Sequence, residues 1–249
     1  MRILVCISNV PDTTTKVKFS NEGASFDENG VQWIINPWDE LALTRAMELK
    51  EDASNPVSQV TVASVGTVAV EPTLRKAMAI GADDAIRVDV DSSDAYAVAT
   101  QLASVVKAGS YDLILCGIES SDYNGAAVGG MLAEMLDLPS VSAVSALNLN
   151  GEEALITRDI DGGKEELTVA APFVAVVQKG IAKEPRIAAM RGIMMARKKP
   201  LNVMPAVDAE ALTESVSFAL PEAKAPCKMI DETNVKELVD LLVNEAKVI

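Results

Sequence analysis

The sequence predicts an α/β protein, built on an open, mostly parallel sheet flanked by helices, with an antiparallel hairpin addition and an extended C-terminal arm. Three observations predict it. Apolar runs of strand length alternate with amphipathic helical stretches, as in βαβ units around a parallel sheet. Between Leu147 and Ala170 the period changes to two, with Asn150-Gly151 and Asp161-Gly162-Gly163 as turn sequences. After Pro200 strand character fades, and Pro205, Pro221 and Pro226 punctuate the remainder.

The expected strands are Ile3–Ile7, Val57–Val65, Ala85–Val88, Leu113–Cys116 and Phe173–Val177. Helices are expected between them. Pro37–Lys50 places Leu41, Ala42, Met47 and Leu49 near helical spacing, with Asn36 as cap and proline at the first helical position. Glu71–Ile80, Ala95–Lys107 and Gly125–Leu136 follow the same logic, and Ala154–Asp159 with Glu166–Ala170 form the hairpin. At the C-terminus, Asn234 with Glu237 resembles a capping box, opening a helix over Val235–Ala246. Its stripe of Val235, Leu238, Val239, Leu242 and Val243 must be buried somewhere, and a proline-spaced arm suits wrapping a partner subunit. The expected division is an α/β domain over residues 1–200 and an arm over 201–249.

Composition sets limits on function. The chain has 249 residues and 49% hydrophobic content, enough for a sizeable core. No apolar run reaches the roughly 18 residues of a membrane span, and Met1 leads straight into a strand, so a cytoplasmic protein that is not membrane-embedded is expected. Three cysteines give neither a disulfide framework nor zinc-ligand spacing. A formal charge of −14 sets a field that repels nucleic acid and anionic membranes. There is no histidine, which excludes Ser-His-Asp and Cys-His catalysis and the usual zinc sites.

In open α/β sheets ligands bind beyond the carboxyl ends of strands, where helix N-termini offer free N–H groups to phosphate. Four loops qualify: Cys6–Asp12, Asn36–Glu40, Val65–Glu71 and Gly117–Gly130. In the last, Asp122 suits a ribose hydroxyl or a polar base edge, while Asn124, Gly125 and the following backbone can approach a phosphate. It is neither the G-x-G-x-x-G fingerprint nor a Walker loop, and taken alone such a loop is more often a simple connection and cap. One segment opposes the general charge. Lys183–Lys199 holds six basic residues and one acid, with Met190, Ile193, Met194 and Met195 interleaved among Arg191, Arg197, Lys198 and Lys199. An apolar patch with a cationic rim suits a surface that fits several partners.

Several pieces, in order, resemble the electron-transfer flavoprotein β subunit family across about residues 1–200. They are Val10-Pro11-Asp12, Asn36-Pro37-Trp38-Asp39-Glu40-Leu41-Ala42, Lys76-Ala77-Met78-Ala79-Ile80-Gly81-Ala82-Asp83, Arg158-Asp159-Ile160-Asp161-Gly162-Gly163, Glu184-Pro185-Arg186 and Met194-Met195-Ala196-Arg197-Lys198-Lys199-Pro200. The resemblance implies a Rossmann-like fold of the adenine-nucleotide-binding type and a heterodimeric electron carrier without catalytic residues of its own. An α subunit holds most of the FAD, which accepts electrons from flavin dehydrogenases and passes them toward a quinone oxidoreductase or another acceptor. The β site commonly buries AMP, and its residues match Cys6, Asn36, Pro37, Trp38, Asp39, Val65, Gly117, Ile118, Glu119, Ser120, Ser121, Asp122, Tyr123, Asn124, Gly125, Ala126, Ala127 and Val128. The family's recognition loop falls at about 183–199, with Met190 at the position of its apolar anchor, usually leucine.

The bifurcating branch of the family places a second FAD in the same site. There its loop has Thr and Gln where this chain has Gly125 and Ala127, which favours AMP. Ser8 stands where many relatives have lysine, and Thr13 where some have an aromatic side chain. Two other classes fit the sequence less well. A universal-stress-type nucleotide module would lack the arm and the methionine-rich basic loop, and an NAD oxidoreductase would need a dinucleotide fingerprint and a proton-transfer residue.

Overall fold

A computed structural model describes residues 1–224 and 226–249. It divides into two units, Met1–Lys18 with Asp27–Val216 and Phe19–Phe26 with Ser217–Ile249. Along the chain run β1 (Arg2–Cys6), β2 (Asn9–Pro11), β3 (Phe19–Ser20), β4 (Ser25–Phe26), β5 (Trp33–Ile35), α1 (Pro37–Glu51), β6 (Gln59–Val65), α2 (Glu71–Ile80) and β7 (Asp84–Asp89). There follow α3 (Ala95–Ala108), β8 (Leu113–Gly117), α4 (Val128–Leu136), β9 (Ser140–Asn150), β10 (Glu153–Ile160), β11 (Gly163–Ala170), β12 (Phe173–Val177), α5 (Met190–Ala196), β13 (Leu201–Pro205) and α6 (Val235–Leu241).

The large unit is organised by a nine-stranded sheet in the order β11-β10-β9-β12-β8-β1-β6-β7-β13. From β9 across to β13 every neighbouring pair is parallel; β10 and β11 add the antiparallel hairpin. Central strands read as unbroken apolar runs because both faces are covered. Ile3 and Val5 face Leu43, Met47, Leu74 and Met78 of α1 and α2, whereas Leu4 and Cys6 face Leu102, Val106 and Leu132 of α3 and α4. β11, at the edge, buries none of its residues fully.

The expected strands and helices are present, shifted by up to three residues at their ends, with three instructive exceptions. α4 begins at Val128 rather than Gly125, because Asn124 and Ala126 adopt left-handed backbone (φ 50° and 48°) that ends the preceding loop. Asn36 does not cap α1 with its side chain. The expected departure from the sheet at Pro200 is corrected: Leu201–Pro205 pairs in parallel with β7, and the large unit runs on to Val216. β13 sits at an edge and leaves Val203 half exposed, so five residues that follow one proline and end on another suffice without a continuous apolar run. Beyond it, Gln101 clips the Val207 backbone through both amide atoms (2.8 and 2.9 Å), and Asp94 accepts from the Thr213 N–H and hydroxyl (2.9 and 2.6 Å).

The small unit pairs the β3–β4 hairpin with the chain near Phe218, whose N–H donates to the Gly23 carbonyl (2.7 Å) and whose ring stacks on Phe19 at 5.5 Å. The capping box at Asn234 forms: its Oδ1 accepts from the Glu237 N–H (3.3 Å) and its Nδ2 donates to the Glu237 carboxylate (2.8 Å). α6 continues as a π turn over Leu242–Ala246, with Val235, Leu238, Val239 and Val243 exposed.

Candidate functional site

The chain leaves β1 toward β6 and β7 on one side, then returns to place β8 on the other, so strand order reverses between β1 and β8. A crevice at their carboxyl ends is therefore the site the topology selects. The N-terminus of α1 crosses that crevice. Asp39, only 3% exposed, accepts the Ser8 N–H beyond β1 (2.8 Å) and the Gly117 N–H at the end of β8 (2.9 Å). Asn36 reaches over with its amide, donating to the Glu119 carbonyl (2.8 Å) and accepting the Ser121 N–H (3.2 Å). The cap expected of Asn36 is thus replaced by a cross-link between α1 and the β8–α4 loop. A side chain at Gly117 would have its Cβ 2.3 Å from Asp39 Oδ1 and 2.7 Å from Trp38 Cβ, so only glycine admits this approach.

Burial pushes Asp39 up to about 7, against the lowering effect of hydrogen bonds from Ser8, Asn36 and Gly117. Beneath it lie the thiols of Cys6 and Cys116, both buried; their mutual hydrogen bond and then burial hold Cys6 well above its usual range. Cys6 is therefore a neutral floor residue. The opposite bank is the loop through half-buried Ser120 and exposed Asp122, Tyr123, Asn124, Gly125 and Ala126, closed by an Asn124 N–H to Ser120 carbonyl bond of 2.8 Å. Asp122 turns onto the Tyr123 N–H (2.9 Å). Ile118, Ala127 and Val128 are half-buried where the loop meets α4. No side chain caps α4, whose first intrahelical donor is Met131 to Ala127, which leaves the N–H groups of Val128, Gly129 and Gly130 free of helical partners. Cβ atoms at Gly125 and Gly130 would meet nothing within 4 Å, so the approach is open.

Val65 ends β6 on the third side, and the turn after it is fixed by residues that composition did not bring forward. Arg87, 6% exposed, donates to the Gly66 carbonyl (2.9 Å) and pairs with Glu71 (3.1 Å) and Asp89 (2.5 Å). Thr73 donates to Asn9 Oδ1 (2.6 Å), tying α2 to β2. The signal for Arg87 was present: a cation inside the strand Ala85-Ile86-Arg87-Val88 must be paired to be buried. The structure brings together Cys6, Asn36, Asp39, Gly117 and the Glu119–Ser121 backbone; it leaves the Asp122, Tyr123 and Asn124 side chains at the exposed rim.

Comparison with known proteins gives the family. The electron transfer flavoprotein domain matches residues 24–209. Electron transfer flavoprotein subunit beta of Bacillus subtilis is 34% identical over 263 residues, covering 100% of both chains, and that of Syntrophomonas wolfei is 34% identical over 253 residues, covering 100% of this chain and 98% of its own. The chain belongs to the electron transfer flavoprotein β-subunit family. A further relative, 31% identical over 262 residues with 99% and 98% covered, is the caffeyl-CoA reductase-Etf complex subunit CarD of Acetobacterium woodii. The family is one of electron carriers rather than enzymes acting alone, and a β subunit implies a heterodimer with an α subunit. No helix among the described residues is long and apolar enough to cross a membrane.

A second surface of this β subunit is built on α2. Gly192 brings α5 so close that a Cβ there would lie 2.3 Å from the Ala79 carbonyl oxygen. Arg75 donates to the carbonyls of Ala196 (2.8 Å) and Lys199 (2.7 Å), and Lys199 returns its ammonium to the carbonyls of Met78, Gly81 and Ala82 (2.9, 3.2 and 2.6 Å) at the α2 C-terminus. Burial lowers the Lys199 pKa. Lys199 is thus spent on the scaffold, while Arg191, Arg197 and Lys198 are exposed and make no ion pair among the described residues. On this clamped platform Met190 is 74% and Met194 68% exposed, with Ile193 and Met195 beside them. Ile187, missed in the sequence, is 90% exposed next to a groove of about 590 Å³ between α2 and the 185–188 segment.

Proposed function

We propose that this chain is the nucleotide-carrying, partner-docking half of a cytoplasmic electron carrier. It holds AMP in the β1/β8 crevice, completes the surroundings of an FAD held mainly by the α subunit, and docks flavin dehydrogenases through Met190–Lys198. Electrons then pass to a quinone oxidoreductase or another acceptor. The carrying observation is the α5 platform: large apolar side chains stand exposed with free cations on a segment clamped to α2 by Arg75 and Lys199. A merely solvated loop would not expose four such side chains on a rigid base.

The crevice fits a nucleotide monophosphate. Uncapped N–H groups at α4 and the open space at Gly125 and Gly130 accept a phosphate, while Asn36 and Asp39 hold the two banks at fixed width. The AMP has no redox role; the flavin, when bound, supplies the electron transfer. This chain's residues orient the nucleotide, shield it and present the docking face. In a second reading the crevice holds a second FAD, which is favoured by the likeness to the Acetobacterium woodii complex subunit. Gly125 and Ala127 offer that larger ligand no side-chain polar groups.

Stopped-flow reduction of the heterodimer's flavin by its dehydrogenase tests the docking. Met190→Asp removes a burial worth about 1.5–3 kcal/mol and inserts an unpaired carboxylate, so the rate at subsaturating partner should fall at least tenfold with FAD and AMP contents unchanged. Wild-type rates would remove Met190 from the interface.

A further inference from the structure

The Asp39 carboxyl is held by two backbone N–H groups from two different strand ends and by no cation: none of the ion pairs among the described residues includes it. The titratable groups on the elements around it supply none either. At the ends of β1 and β8 that meet it these are the thiols of Cys6 and Cys116, Arg2 lying at the opposite end of β1. On α1 the neighbouring Glu40 is paired with Lys76 at 3.3 Å, and on the β8–α4 loop stand Glu119 and the exposed Asp122, which faces its own Tyr123 N–H. A buried, cation-free carboxylate is a costly place to hold a charge.

We propose that Asp39 is the positioning residue of the crevice, its carboxyl joining the end of β1 to the end of β8 and taking up a proton when a nucleotide phosphate binds. This rests on the nucleotide reading given above. The phosphate of a nucleoside monophosphate brings close to two negative charges at pH 7.5 to the same sheet edge. Two like charges in a shielded site disfavour joint ionisation, and the proton resolves the conflict on Asp39, since the phosphate needs its charge for the helix N–H groups. A protonated carboxyl keeps lone pairs for Ser8 and Gly117, so the two banks stay joined. Burial already holds Asp39 at about 7, so a modest push from the phosphate moves it across the working range. The sign follows: binding takes up a proton, and affinity falls as pH rises above 7.

The test is titration calorimetry of AMP into the nucleotide-stripped heterodimer at pH 7.5, in two buffers of different ionisation enthalpy, repeated from pH 7 to 9. At pH 7.5 the free phosphate is already a dianion, so it releases no proton on binding, and any proton it took up itself would still be seen with Asp39→Asn. Wild-type protein should take up a substantial fraction of one proton per AMP, with affinity falling by up to about tenfold per pH unit. Asp39→Asn, whose amide nitrogen cannot accept the second strand-end N–H, should bind AMP more weakly, with no uptake and a flat profile in the binding that remains. AMP binding without proton uptake in the wild type overturns the proposal while leaving the nucleotide reading in place; no AMP binding at all overturns both. If Asp39→Asn does not fold, adenosine 5′-sulfate, whose ester stays an anion throughout this range, replaces AMP with the wild type: uptake then falls on the protein, and uptake seen with AMP alone overturns the proposal.

Discussion

Between Gly117 and Asp39 there is no room for a methyl group, whereas the space beside Gly125 is open. Gly117→Ala should therefore cost about 1–3 kcal/mol of stability and release AMP, and Gly125→Ala should stay within about 0.5 kcal/mol of wild type. Urea unfolding and nucleotide content after gel filtration check both. Asp39 also carries a pH signature in stability. Its folded value is raised to about 7 from 3.8, so the stability it contributes is present below about pH 4 and is lost as pH rises through 7. The difference in unfolding free energy between wild type and Asp39→Asn should change by up to about 1.4 kcal/mol per unit between pH 4 and 7. A pH-independent difference would mean that the group titrates normally. At this scale the sequence named the participants without their pairings. Asn36 and Asp39 were legible as a helix start beside a strand end, but their reach to Glu119, Ser121 and Gly117, 78 to 85 residues away, depends on the switch in strand order.

Among the elements, the strongly periodic ones were readable and the short or locally strained ones were not. β8 and β12 announce themselves as apolar runs buried on both faces. β13 does not, because an edge strand of five residues needs little apolar content, and the start of α4 was hidden by left-handed Asn124 and Ala126, which no propensity rule anticipates for alanine. The α2–α5 platform makes a contrast testable by substitution. Lys199→Met should destabilise the protein by about 1–3 kcal/mol, since three carbonyls at the α2 C-terminus lose their donor. Lys198→Ala should leave stability within about 0.5 kcal/mol and instead slow association with the dehydrogenase at low salt. Chemical denaturation paired with the salt dependence of flavin reduction separates the two roles, and equal effects of both substitutions would contradict the division.

At the scale of the whole molecule, a chain of net charge −14 gathers six basic residues and one acid between Lys183 and Lys199, so the docking proposed for that segment should weaken as ionic strength rises. The fold class, its parallel core and the hairpin were legible because each follows from periodicity. The true end of the large unit was not, because β13, Gln101 with Val207 and Asp94 with Thr213 hold residues 201–216 by backbone pairing and isolated polar clips. A chain ending at Val216 should keep its sheet, read as unchanged strand content by circular dichroism, yet fail to form the heterodimer in size-exclusion chromatography. The most direct test of the account is to denature the purified heterodimer and count its released cofactors by chromatography and mass spectrometry. One FAD and one AMP per heterodimer is the predicted result; two FAD and no AMP would contradict it.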